Sequence, residues 1–330
     1  MSVATGFDDV QSVANASPEA VQEARRRRDV FREALGSAAD VVEVIPTGSV
    51  ARGTHKAPIH DVDLVAVYDV AAHPGWGSAG PSAREALEYT RDLIKERLGS
   101  SGTVSEEVRL TLLNHHSVKC FLDDPEDTDP FTVDITPSYR RAERGLWIPE
   151  QNNQRWVASD PEYLNGLVAA RHAEWNEFAR LVRVLKHWNA DHGKVMKSLV
   201  VEVLALHHLQ VADRPEALCR FFAAAQDAVW SPVCDPAGLC GEIQADLDRQ
   251  KAHDGLAEAA DLAWRAVDAA GRDDTATAMC LWRQVFGDVF PAPDGGCSGS
   301  GVAAVGAAAA VAAVKGWSRP KRPIRDAPQG

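Results

Sequence analysis

Polar and apolar positions divide the chain into two unlike halves. In the first, β-branched runs alternate with helical stretches. Ser17-Pro18-Glu19 is a helix start: a capping hydroxyl, a proline in the first turn, then an acid near the positive dipole end. That helix should run to about Leu35, where Gly36 stops it. Val41–Ile45 reads as a strand ending at Pro46-Thr47-Gly48-Ser49. Val62–Tyr68 is largely apolar, the mark of a central strand. A Pro/Gly/Trp-rich loop at 72–81 precedes a helical period over Ser82–Leu98. Val104–Leu113 and Ser117–Leu122 read as strands, 123–129 as an acidic loop, and Phe131–Thr136 as a strand closed by Pro137.

After about residue 155 the pattern turns helical, over 173–189, 196–211, 215–229, 237–252, 256–270 and 276–286. A Gly/Ser linker, an Ala-rich segment and a basic tail follow. The expected fold class is α+β and bilobal: a mixed β-sheet lobe with flanking helices, then an α-helical lobe. The expected divisions are a flexible N-terminus at 1–16, the sheet lobe at 17–155, the helical lobe at 156–290, and linker, Ala-rich segment and mobile tail at 291–330.

Composition narrows the classes. The chain has 330 residues, 45% hydrophobic and 25% charged, enough for a core without staples. A net charge of −12 argues against a broad nucleic-acid-binding surface. The run Arg25–Arg28 reads as a solvated helix face near Glu19, Glu23 and Glu33. Six cysteines without a C-x-x-C pair suggest a reduced, cytoplasmic protein, and the spacing of His207, His208, Cys219, Cys234 and Cys240 fits no ordinary zinc finger. The N-terminus carries no secretory signal, and the run Val302–Val314 is too short to span a bilayer, so no membrane role is expected.

The chemistry concentrates in Gly48-Ser49-Val50-Ala51-Arg52-Gly53-Thr54, then Asp61-Val62-Asp63, and much later Asp134. A strand followed by Gly-Ser aims backbone N–H groups and a hydroxyl at one place, which suits phosphate. In Asp61-x-Asp63 the strand period of two puts both carboxylates on one face, about 7 Å apart along the chain. Such a pair repels unless a cation sits between, and oxygen ligands that leave room for phosphate suit Mg²⁺ or Mn²⁺. Asp134, flanked by Val133 and Ile135, should also leave the core face and complete a site for two ions. Singly, a Gly-Ser is usually a turn and a D-x-D usually surface acids; the ordered set carries the reading.

This set, with V-D-I-T-P around Asp134, resembles the polymerase-β-type nucleotidyltransferase core. The R-G-T after Gly-Ser and the downstream L-K-H-W-N and K-S-L-V-V-E resemble the oligoadenylate synthase and cyclic GMP-AMP synthase branch, whose bacterial members are the CD-NTases. The resemblance implies that Gly48, Ser49 and Arg52 bind the nucleotide and that Asp61, Asp63 and Asp134 are catalytic metal ligands. It also implies that Lys186 reaches the donor phosphates and that Ser198 and Glu202 line the nucleotide pocket. Many relatives carry a base-stacking aromatic where this chain has Leu199, so stacking is expected from Tyr68 or Tyr139. His60, before the first acid, is expected to be a spectator.

The implied activity is template-independent joining of nucleoside triphosphates, ATP or GTP among them, with pyrophosphate release. The implied product is a cyclic or short linear second messenger in antiphage defence, and a regulatory partner is left open. The rivals are a nucleotidyltransferase acting on an RNA 3′ end, a protein or a small molecule, and a non-catalytic nucleotide-binding regulator.

Overall fold

The computed structural model describes residues 2–99 and 108–297. The expected Ala-rich segment and basic tail, and the first part of the strand expected from Val104, lie outside them. The described residues as far as Gly296 form one compact unit.

The chain opens with helices α1 (Val3–Ala14) and α2 (Pro18–Gly36). Ser2 caps the first through Thr5 N, and Ser17 caps the second through Ala20 N. The N-terminal stretch expected to be flexible is therefore a helix. Its Phe7, Val10 and Ala14 are buried among residues of the second half of the chain, and that burial holds it.

Strands β1 (Val41–Thr47), β2 (Asp61–Tyr68), β3 (Leu110–Leu113), β4 (Val118–Phe121) and β5 (Thr132–Arg140) form a mixed sheet in the order β1-β2-β5-β4-β3. Only β2 and β5 pair in parallel. β6 (Leu146–Glu150) and β7 (Arg155–Ser159), which show no strong alternation, extend the sheet from the far end of β5. Pro137 does not close β5. Pairing with β4 ends at Ile135, so Pro137 sits where one side of the strand carries no ladder. Helices α2 and α4 (Ser82–Leu98) cover one sheet face over a core of Phe31, Leu64, Leu87, Val133 and Ile135. The opposite face is apolar only where Ile45, Val65, Val67 and Leu146 meet.

The helical part contains α5 (Pro161–Glu174), α6 (Phe178–Asp191), α7 (Ser198–His208), α8 (Arg214–Ala228), α9 (Arg249–Gly271) and α10 (Thr275–Phe286). The helix expected at 173–189 starts later, as α6 at Phe178, because α5 ends where Trp175 turns extended and buries its ring. The helices expected at 237–252 and 256–270 become the single α9, which starts behind the Asp248 cap; the residues before it are irregular. Cys120, Cys219, Cys234 and Cys240 are free thiols, whereas Cys280 takes part in a disulfide, which departs from the expectation of a reduced protein. Among the described residues no helix is long and apolar enough to cross a membrane.

Candidate active site

The site begins with strand alternation. On β2, Val62, Leu64, Ala66 and Tyr68 enter the helix-covered core, while Val65 and Val67 enter the opposite cluster. Asp61 and Asp63 therefore share the uncovered face. On β5, Val133 and Ile135 take the covered side, so Asp134 projects beside Asp63, its register partner. On β4, Val118 and Cys120 alternate with Lys119, which is the register partner of Asp134. Three aspartates and one lysine thus converge on one sheet face.

The Gly-Ser turn lies against them. The chain passes from Thr47 into the short helix α3 (Gly48–Arg52), with Gly48 at φ +72°. A Cβ on Gly48 would sit 1.8 Å from Asp63 Oδ2, so only glycine lets the turn approach this closely. The Ser49 hydroxyl is half-buried and makes no hydrogen bond among the described residues.

The carboxylates are electrostatically crowded. Burial, then the charges of Asp61 and Asp134, push Asp63 up to about 7, against the weaker pull of Arg52 and Lys119. Burial also raises Asp134, although Ser117 Oγ at 2.9 Å and Asn114 Nδ2 at 3.3 Å donate to its Oδ1. None of the three is in an ion pair among the described residues. Hard oxygen donors without a counter-charge fit divalent cations. A second group, His115, His116 and Glu150, brings its ligand atoms within 4.8 Å of one another. The His115 group is already engaged: Arg155 and Asn153 hold Glu150, and the Pro149 carbonyl holds His116 Nδ1.

Lys186, Arg52 and Glu202 meet beneath the turn. Glu202 is fully buried, its carboxylate accepting from Arg52 Nε at 2.5 Å and from Lys186 Nζ at 2.6 Å. Lys186 Nζ also donates to the Thr54 carbonyl at 3.0 Å, tying α6 to the end of the G-S-V-A-R-G-T segment. Burial works against the Glu202 charge, yet the two cations outweigh it and hold Glu202 below the usual carboxylate range. Burial drives Lys186 below its ordinary value despite Glu202. Ser198 is the exposed first residue of α7.

The stacking expectation needs correction at one residue. Tyr68 is 2% exposed, its hydroxyl bonds Thr90, and it lies at the opposite end of β2 from Asp61, so it cannot stack on a base there. Tyr139 packs its ring at 5.1 Å from that of Trp156. Leu199 packs against the helical core. The His60 ring contacts the Asp129 carbonyl. His207, His208 and the cysteines near them form no metal-ligating group among the described residues. Sequence reasoning missed Ser117, Asn114 and Lys119. Their signal was faint: Ser117 and Lys119 alternate with buried Val118 and Cys120, as polar residues on an open sheet face do.

Residues 28–102 match the nucleotidyltransferase domain family. That match marks the chain as a nucleotidyltransferase, and its fold is that of the CD-NTases. It is similar to a probable cyclic nucleotide synthase of Bacillus cereus, 22% identical and covering 76% of this chain and 82% of the relative. It is also similar to the cyclic AMP-AMP-AMP synthase of Escherichia coli, 22% identical over 87% of this chain and 99% of that one. Among solved structures, E. coli CdnC with ATP superposes with a TM-score of 0.67 at 18% identity, covering 88% of this chain and 99% of that one. CdnG of Bradyrhizobium diazoefficiens with GTP gives 0.62 at 15% identity, covering 86% and 95%.

The contact between Gly48 and Asp63 has a direct consequence. Gly48→Ala should displace the Asp63 carboxylate and lower turnover by about 10²-fold or more while the far-UV circular dichroism is kept. Pyrophosphate release measures it; wild-type turnover would show that the approach is not needed.

Proposed function

We propose that the chain joins nucleoside triphosphates, with release of pyrophosphate, into a cyclic or short linear oligonucleotide messenger for antiphage defence. The single observation that carries the reading is the unpaired trio Asp61, Asp63 and Asp134 on the sheet face against which the Gly48-Ser49 turn packs. The names of the two curated relatives support the product class. The reaction needs only triphosphates, which the cytoplasm supplies.

Asp61 and Asp63 would hold two divalent ions, Mg²⁺ or Mn²⁺, with Asp134. When bound, these ions neutralise the triphosphate and acidify the attacking hydroxyl. Gly48 and Ser49 would hold the donor phosphates, the free Ser49 hydroxyl supplying a donor. The Asp134 oxygen not engaged by Ser117 and Asn114 would accept the proton of the acceptor ribose hydroxyl. The oxygen left behind bonds the α-phosphorus as the bond to the β-phosphate oxygen breaks. Lys186 and Arg52, occupied by Glu202, act as positioning residues that fix the turn from beneath. Ser198, exposed at the start of α7, is available to the triphosphate. The solved complex of E. coli CdnC with HORMA-deltaN supports a regulatory protein partner.

The test is incubation with all four triphosphates and Mg²⁺ or Mn²⁺, followed by mass spectrometry. Oligonucleotides formed without an added acceptor, and abolished by EDTA, are expected. Products that appear only when an RNA or protein acceptor is supplied would replace this reading with the acceptor-modifying one. No metal-dependent pyrophosphate release under either condition would leave a nucleotide-binding regulator.

A further inference from the structure

A cavity of about 550 Å³ opens between the start of α2 and α6, and none of the three aspartates lines it. Asn15, Gln22, Arg25, His55 and Arg183 supply its polar wall, and no acid lines it. In a chain of net charge −12, a cavity without a carboxylate is a local inversion of charge.

Its two guanidinium groups lack counter-ions. Arg183 is half-buried and donates only to neutral oxygens: Asn15 Oδ1 at 2.7 Å and the Gly53 carbonyl at 2.5 Å. Arg25 has no hydrogen bond or ion pair among the described residues. The contrast along the same helix is instructive. Arg26 and Arg27 pair with Glu23, Arg27 also with Asp123, and Arg28 with Asp29. Of this run, the arginine that faces the cavity is the one left unneutralised. His55 completes the wall with a buried Nδ1 that has no partner.

We propose that this cavity binds a small phosphate-bearing anion, held by Arg25 and Arg183, at a site separate from the aspartates. Unpaired guanidinium groups around a concavity favour a phosphate, whose oxygens match their fork of donors. The cavity is within the usual range for a small-molecule site. The neutralised neighbours Arg26–Arg28 offer no basic track for a polymer. The site shares the catalytic turn: Arg183 holds the Gly53 carbonyl. An anion that draws Arg183 toward itself would loosen its hold on Gly53, so occupancy reports to the Gly48–Gly53 segment.

The experiment is calorimetric titration of the full chain with inorganic tripolyphosphate in EDTA, where metal-dependent binding at the aspartates is silent. Saturable binding is expected, weakened at least about tenfold in Arg25→Gln, whose exposed side chain can be changed without disturbing the fold. Arg26→Gln should bind like the wild type. ATP in place of tripolyphosphate separates the sources: equal affinity for the Arg25-dependent component means that the phosphates alone are read, and tighter ATP binding means that the nucleoside also enters. Equal binding by wild type and Arg25→Gln, or no saturable binding, overturns the proposal. So does a duplex DNA that binds more tightly and is weakened equally by Arg26→Gln and Arg28→Gln.

Discussion

Asp63→Asn, alone or with Asp61→Asn, should lower nucleotidyl transfer by about 10³-fold or more and at the same time stabilise the metal-free protein. The first effect follows from losing the charge that holds the cations. The second follows from the sign of the titration. The carboxyl ordinarily titrates near 3.8, and in the fold it is pushed up to about 7 by burial, Asp61 and Asp134. The unfolded chain thus releases this proton more readily than the folded one. Folding stability is unaffected below the lower value, falls as pH rises between the two, and stays reduced above the upper one. Asparagine removes that penalty. The variant should melt at a higher temperature than the wild type at pH 8, and the gap should close toward pH 4. Mg²⁺ should raise the wild-type melting temperature more at pH 8 than at pH 5, because protons compete for the same oxygens, and should barely move the variant. Melting curves with and without EDTA check both. An active, well-folded double mutant would remove the basis of the site.

Glu202→Gln should be the most damaging single change away from the aspartates. Glu202 is the one anion between Arg52 and Lys186, and all three lie in the interior. Removing one member of a buried ion cluster leaves uncompensated charge, at a cost of about 3–5 kcal/mol. Turnover should fall as well, by about 10²-fold, because Lys186 and Arg52 fix the turn that presents Gly48 and Ser49. The two effects separate with pH. Without its anion, Lys186 loses its proton more easily in the folded state than in the unfolded chain. Stability must then recover as pH rises toward the ordinary lysine value. Urea denaturation at pH 7 and pH 10 tests this, since a mere packing defect would leave the deficit unchanged. Glu202→Asp, which keeps the charge, should restore part of both stability and turnover.

The contrast between these sites explains what could be read from the chain. Asp61, Asp63 and Asp134 were legible because strand alternation converts sequence spacing into a shared face, and apolar neighbours reveal which face is open. Gly48 was legible as a turn residue, but its contact with Asp63 depends on how β1 and β2 pair and is invisible in either segment alone. Lys186 and Glu202 were found by resemblance, and their partners were not. A lysine off the apolar stripe of α6 looks solvated until α7 and the turn close over it. Tyr68 failed for the opposite reason: its aromatic ring suggested stacking, while strand length carries it to the far end of β2. Helix α1 was missed because a short apolar segment before a strong cap resembles a frayed end when its packing partners lie elsewhere in the chain.

That helix links the order of synthesis to the order of assembly. Phe7 meets Trp282 at 4.9 Å, Phe286 at 6.0 Å and Phe290 at 5.3 Å, so this helix finds its partners only after the rest of the helical lobe has been made. A nascent chain must keep this phenylalanine unsatisfied until Trp282, Phe286 and Phe290 have emerged, a contact of very large sequence separation that slows folding and invites misassembly. The aromatic clasp therefore acts as a late closing step, and it makes completion of the helical lobe dependent on a segment made well before the sheet.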